Sequence, residues 1–115
     1  MNWYIAKIIF NIQLNNGINH SQFDEQLRLI EAAGPADAFS KARLLGKEEE
    51  NRFKNENGED VTWKFIDVAD IQQLNELQHG TEVYSFTHED RESDDYINFI
   101  RRKAQILQIR DYAFA

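Results

Sequence analysis

The 115-residue sequence contains no cysteine, so neither a disulfide framework nor thiolate chemistry is available to it. No apolar run approaches the roughly 18 residues that a membrane-spanning helix needs. The start of the chain also lacks the basic region, apolar core and small-residue cleavage site of an export signal. We therefore expect a protein that is neither membrane-spanning nor exported by a recognisable signal, and that works in the cytoplasm.

Basic residues are in deficit, with thirteen Lys and Arg against twenty Asp and Glu and a net charge of −7. An acidic chain disfavours non-specific binding to nucleic acid and to anionic membranes, so we expect neither as a partner. Hydrophobic residues make up 42% of the sequence and aromatic residues 12%, which is enough for a real core. The composition predicts a single domain over residues 1–115.

The stretch from Trp3 to Leu14 is the strongest structural signal. Its even positions are apolar without a break: Tyr4, Ala6, Ile8, Phe10, Ile12 and Leu14. Its odd positions mix apolar and polar residues: Trp3, Ile5, Lys7, Ile9, Asn11 and Gln13. Because successive side chains of a strand point to opposite faces, this pattern predicts an interior strand of an antiparallel sheet. One face of that strand is fully buried and the other only partly.

A turn over residues 15–20 and a second strand over 23–30 follow, and the two strands are predicted to form a hairpin. A helix over 23–30 is the rival, because Gln, Glu, Leu and Arg are good helix formers. Gly34-Pro35 then indicates the start of a helix over residues 35–55, ended by Asn57-Gly58. Phe39 and Phe53 are expected to anchor its ends, and Ala42 and Gly46 to mark its closest approach to the sheet.

The second half of the chain predicts a strand over residues 61–68, a short helical turn over 71–77 and a fourth strand over 82–88. Ser93 caps a final helix, with Asp94 and Asp95 in its first turn and a broad apolar stripe. The fold class is α+β: a four-stranded antiparallel sheet with two helices on one face, in the order strand-strand-helix-strand-strand-helix. The predicted spatial strand order is two-one-three-four.

Several short motifs together are similar to the bacterial family known as domain of unknown function 4288. The similarity rests on Trp3-Tyr4 with Lys7, Leu29-Ile30-x-Ala32, Ala38-Phe39-x-Lys41-Ala42, Gly46-Lys47-Glu48-Glu49, Trp63-x-Phe65-Ile66-Asp67-Val68 and Gly80-Thr81-Glu82-Val83-Tyr84-Ser85. The resemblance spans nearly the whole chain. It implies a small bacterial domain, and it carries over no catalytic residue.

Residues able to do chemistry are scattered. His88 lies beside acidic residues that could hold a divalent cation, but a solvated acidic loop that caps the last helix is the favoured interpretation. Strand alternation would place Ser85 and His88 on opposite faces, which argues against a nucleophile and base. Glu49 could be a buried acid with a raised pKa. Because unpaired buried carboxylates are rare, the favoured interpretation is a residue at the edge of the apolar stripe of the helix, bonded to Lys or Tyr. We predict no catalytic residue, metal or cofactor.

The sheet face away from the helices is the predicted interface. It includes Trp3, Ile5, Lys7 and Ile9 of the first strand, joined by Trp63 and Phe65 or else by Ile66 and Val68. Such a face is large for a monomer to expose, so we expect a homodimer or another homo-oligomer. The last helix and the tail 112–114 could cover part of it within one chain. The alternatives are a small-ligand platform on the open sheet face and, third, an enzyme.

Overall fold

The computed structural model describes residues 1–14 and 21–114, so the predicted turn at 15–20 lies outside the described residues. The elements in chain order are β1 (Asn2–Leu14), β2 (Gln22–Ala32), α1 (Pro35–Glu48), β3 (Asn51–Lys54), β4 (Asp60–Gln73) and α2 (Ser93–Phe114). The chain divides into two compact units, a sheet unit over residues 1–85 and a helical unit over residues 86–115.

The four strands form one antiparallel sheet in the order β2-β1-β4-β3. β1 is central because it is hydrogen-bonded to β2 on one side and to β4 on the other along most of its length. This confirms the α+β class and the interior position of the first strand. The order of strands and helices differs in detail from the prediction, because the two strands between the helices, β3 and β4, are not those expected at residues 61–68 and 82–88.

The helix α1 covers the face formed by the even residues of β1. Tyr4, Ala6, Ile8 and Phe10 are at most 2% exposed and form the core with small residues of α1. The close approach predicted at Gly46 is confirmed, because a Cβ built there would overlap the ring of Phe65 on β4. The Phe65 ring also packs against the Phe10 ring, at a centroid distance of 6.1 Å.

The predicted end of the first helix was wrong. α1 ends at Glu48, and Phe53, expected to anchor the helix, lies half-exposed on β3. The reason is a hairpin between β3 and β4, in which the Asn55 side chain accepts hydrogen bonds from the N–H groups of Asn57 and Glu59. Gly58 adopts a φ of 77° within this hairpin. The Asn-Gly pair therefore turns a hairpin instead of ending a helix.

The predictions for residues 71–77 and 82–88 were also wrong. β4 continues through Gln73, and residues 82–88 form no strand. The fourth place in the sheet belongs to β3, which pairs only with Asp60–Trp63 of β4. Along the remaining edge of β4, the N–H groups of Phe65, Val68 and Ile71 donate to the carboxylates of Glu50, Asp67 and Asp70 at 2.8–2.9 Å. Side chains thus take the place of a further strand.

Two bulges break the alternation of β4 where it pairs with β1. Ile66 and Ala69 are the extra residues, because the partners of β1 skip from Asp70 to Val68 and from Asp67 to Phe65. As a result, residues of both parities meet the core beneath α1: Trp63, Phe65, Val68 and Ile71. The helical unit contains α2, which begins at Ser93 as predicted, with Asp94 and Asp95 in its first turn. Its packing on the sheet, and the single domain, stay predictions.

Replacing Gly46 with Ala tests the close contact between α1 and β4. Alanine in a helix interior is ordinarily about 1 kcal/mol more favourable than glycine. Here the added methyl group meets the Phe65 ring, and overpacking typically costs about 1–3 kcal/mol. We expect Gly46→Ala to lower the melting temperature and Gly46→Leu to lower it further. Gly34→Ala is the control, because nothing lies within 4 Å of its Cβ position. Equal melting of Gly46→Ala and the parent would contradict the contact.

The ion pair between Arg43 and Asp67 makes stability depend on pH. The Arg43 guanidinium donates two hydrogen bonds of 3.0 Å to the carboxylate, which lowers the pKa of Asp67 below its ordinary 3.8. Because the folded pKa is the lower one, the stabilisation is present above pH 3.8 and is lost as the pH falls through the folded value. We expect Asp67→Asn to melt below the parent at neutral pH, with the difference closing as the pH falls below 3.8. A difference that stays constant across thermal melts over this range would contradict the assignment.

Candidate interaction surface

The face of the sheet opposite α1 is the outer face. Its residues on β1 are the odd ones, and the strand register places Leu29 and Gln72 beside Ile5, and Leu27 and Asp70 beside Lys7. This register divides the outer face into two neighbouring halves. One lies over β1 and β4 and has polar partners, while the other lies over β1 and β2 and is largely apolar.

The β4 half of the outer face is covered by the chain that leaves the sheet. Gln72 exchanges two hydrogen bonds with the backbone of Ser85, at 2.8 and 3.3 Å. The Tyr84 hydroxyl donates to the Asp70 carboxylate at 3.4 Å, and its ring lies 5.7 Å from the Lys7 ammonium. Ile5, on the same face, is 8% exposed. These contacts bind residues 84–85 to the outer face within the sheet unit.

The β2 half of the outer face exposes large apolar side chains. Trp3 is 47% exposed, Phe23 62%, Leu27 51% and Leu29 58%. These four residues lie on two hydrogen-bonded strands and form what we call the outer patch. Isolated exposed leucines are common, but a group of four on adjacent strands is typical of an interaction surface.

Acidic side chains lie within the outer patch and at one end of it. Glu31 lies directly opposite Trp3 in the strand register, and Glu25 lies opposite Ile9, between Phe23 and Leu27 on β2. The Lys7 ammonium is 3.4 Å from the Glu25 carboxylate, so the cation on this part of β1 is bound to a neighbouring strand. With two carboxylates and one ammonium, this part of the outer face carries more negative than positive charge.

The six residues predicted from the sequence to form the interface lie on two different faces of the sheet. Trp3, Ile5, Lys7 and Ile9 lie on the outer face, although Ile5 is buried there. Trp63 and Phe65 instead lie in the core beneath α1, and both rings contact the Phe10 ring at about 6 Å. The predicted choice between Trp63 with Phe65 and Ile66 with Val68 does not arise, because the bulges send Val68 to the core as well.

Sequence reasoning missed the β2 residues of the outer patch. The signal was present, since Phe23, Leu27 and Leu29 share one parity within a period-two stretch. The register of the hairpin then places these residues on the outer face. Leu29 pairs with Ile5 and Leu27 pairs with Lys7, and residues paired across two strands face the same side of the sheet.

The other candidate residues serve structural roles. Glu49 lies at the C-terminal end of α1 and accepts a 2.9 Å hydrogen bond from Arg28, so it is a paired rim residue, with Arg in place of the expected Lys or Tyr. Beside it is a cleft of about 240 Å³, lined by Phe10, Gln26, Glu49, Asn51, Phe53 and Trp63. The His88 ring stacks near Phe86 and meets the Tyr96 ring edge-on at 4.9 Å.

Two further kinds of functional feature, metal sites and membrane spans, can be assessed in the described residues. The described part of the chain holds no group of three or more His, Asp or Glu side chains arranged to bind a metal ion. Within residues 1–14 and 21–114, neither helix combines the length and the apolar character that crossing a membrane requires.

Residues 3–85 match the family model described as Domain of unknown function (DUF4288), and the chain therefore belongs to this family. The match confirms the resemblance drawn from the sequence. Its bounds nearly coincide with the sheet unit, so the outer patch lies inside the matched region and α2 lies outside it. No curated protein and no solved structure shows significant similarity to the chain. Family membership brings no specific activity with it.

Replacing Gln72 with Ala tests how the chain after β4 is held on the outer face. The substitution removes both hydrogen bonds to Ser85, and each is worth about 0.5–1.5 kcal/mol. We expect a lower melting temperature and faster amide hydrogen exchange at Ser85, whose N–H donates to Gln72. Gln73→Ala, at the exposed neighbouring position, is the matched control. Unchanged protection of the Ser85 amide in Gln72→Ala would contradict the assignment.

Proposed function

We propose that the chain is a non-catalytic interaction module that self-associates through the outer patch to form a homodimer. The observation that carries the proposal is the exposure of four large apolar side chains, Trp3, Phe23, Leu27 and Leu29, on two adjacent strands. Burying an apolar surface of this kind stabilises association in proportion to its area. A closed two-fold dimer is the commonest way to bury a self-complementary patch.

The protected edge of β4 supports association through the face. Along β4, carboxylates already accept the N–H groups of Phe65, Val68 and Ile71, and a row of negative charge repels an incoming strand. Strand addition at this edge would break those hydrogen bonds. The outer patch needs no such rearrangement, because its side chains already face solvent.

The candidate chemical groups are engaged in ways that favour a non-catalytic role. Glu49 is bound to Arg28, and the ring of His88 packs against Tyr96. An open-face ligand platform is the alternative function, and it would leave the protein a monomer with a bare patch. The acidic, cysteine-free composition and the family resemblance further support a bacterial, cytoplasmic setting for the module.

Size-exclusion chromatography coupled to light scattering at low micromolar concentration tests the homodimer. We expect the mass of a dimer for the parent and of a monomer for the double variant Leu27→Lys, Leu29→Lys, because two ammonium groups would have to be buried at the interface. Both leucines are more than half exposed, so the substitutions leave the core intact.

Leu44→Lys is the matched control, since Leu44 is a 61% exposed leucine on α1, away from the outer face. It should remain a dimer. A parent that elutes as a monomer would overturn the homodimer and favour the ligand platform. Dissociation by Leu44→Lys as strongly as by the double variant would place the interface elsewhere on the molecule.

A further inference from the structure

The cleft beside Glu49 lies on the inner face of the sheet, the face that α1 covers. α1 ends at Glu48, with Glu49 as its C-cap, and the chain then turns into β3. The sheet continues beyond this end of the helix, so part of its inner face is left for other contacts. We call this cleft the C-cap cleft. Besides Glu49, residues from all four strands line it: Gln26 of β2, Phe10 of β1, Trp63 of β4, and Asn51 and Phe53 of β3.

Three aromatic rings line the C-cap cleft. The Phe10 and Trp63 rings are 6.0 Å apart between centroids and tilted by 54°, so they meet at an angle instead of stacking flat. Phe53 is 44% exposed and is a diagonal neighbour of Trp63, because Trp63 pairs with Asn51 two residues earlier on β3. The faces of aromatic rings carry negative potential, which attracts cations. The rings therefore favour a ligand that is both apolar and positively charged.

The charges of the C-cap cleft point to the same kind of ligand. None of its lining residues is Lys or Arg. Together with the side chains hydrogen-bonded to them, the lining residues carry two carboxylates, Glu49 and Asp24, and one guanidinium, that of Arg28. Arg28 bonds Oε1 of Glu49, and no hydrogen bond from the described residues reaches Oε2. The C-terminal end of α1 adds about half a negative elementary charge.

The size and the ligand groups of the cleft restrict the cation further. Its volume of about 240 Å³ is smaller than that of a site for a drug-sized ligand, which is roughly 300–1,000 Å³. A bare metal ion or a primary ammonium is strongly hydrated and requires several oxygen ligands. A methylated ammonium needs fewer, because its methyl groups pack on ring faces while its charge interacts with the rings and a carboxylate.

We propose that the C-cap cleft binds a small organic cation of the quaternary-ammonium class. The methyl groups lie against Phe53 and Trp63, and the positive charge faces the carboxylate of Glu49. This site goes beyond the proposed self-association, because the outer patch lies on the opposite face of the sheet. Binding of the cation therefore does not require a dimer.

A comparison of choline with its neutral carbon analogue tests the recognition of charge. In the analogue a tert-butyl group replaces the trimethylammonium group, so the shape is kept and the charge is lost. We expect choline to cause saturable shifts in the NMR resonances of the Trp63 indole N–H and of the Phe53 amide. The analogue should bind about tenfold more weakly or less, because it has no cation–π or carboxylate interaction. Sodium chloride at equal ionic strength controls for screening.

Two variants of the full chain locate the site. Glu49→Gln keeps the shape of the side chain and removes its charge, and Phe53→Leu keeps an apolar side chain and removes a ring. We expect each to weaken choline binding about tenfold. Glu48→Gln is the matched control, because it removes the same charge one residue away from a position that does not line the cleft. It should bind choline like the parent.

Trimethyllysine, titrated in parallel, distinguishes a free solute from a methylated side chain as the source of the cation, since the tighter ligand identifies the source. Equal binding of choline and its neutral analogue would contradict the recognition of charge. Choline binding that is unchanged in both Glu49→Gln and Phe53→Leu would exclude the C-cap cleft. The absence of saturable shifts at millimolar concentrations of either cation would overturn the proposal. Light scattering decides the self-association separately, so each proposal can fail alone.

Discussion

The contact between Gly46 of α1 and the ring of Phe65 determines how the sheet unit is packed. With no side chain at Gly46, the helix backbone rests on the ring, and the ring in turn lies against Phe10 of the central strand. Ala38 and Ala42, which are fully buried, are further small residues on the same side of the helix. A helix this close to the sheet covers one face of β1 and leaves the opposite face uncovered by α1.

Strict alternation explains both what the sequence predicted and where it failed. On β1, period two held without interruption, so the buried even residues and the mixed odd residues could be assigned correctly. On β4 the same rule failed, because the bulges at Ile66 and Ala69 insert residues that no propensity reveals. Trp63 and Phe65 were therefore open to assignment on the outer face, although they belong to the core.

The wrong predictions for the residues after α1 have a common physical origin. Each of these segments has a local sequence that is compatible with two different structures. Residues 47–55 are rich in good helix formers, yet Asn51–Lys54 pair with β4 as half of a hairpin. The Asn55 side-chain hydrogen bonds and the positive φ of Gly58 form its turn. Residues 82–88 alternate like a strand, but the edge of β4 that would receive them is occupied by its own carboxylates. Long-range competition for that edge cannot be read from local pattern.

The same carboxylates protect the edge of β4 that β3 leaves unpaired. An unprotected edge would let any extended chain add to β4, whereas Asp67, Asp70 and Glu50 use the edge donors and surround them with negative charge. Strand addition at this edge of β4 is therefore disfavoured. The outer patch, in contrast, presents large apolar side chains that already face solvent, so its burial would break no hydrogen bond of the sheet.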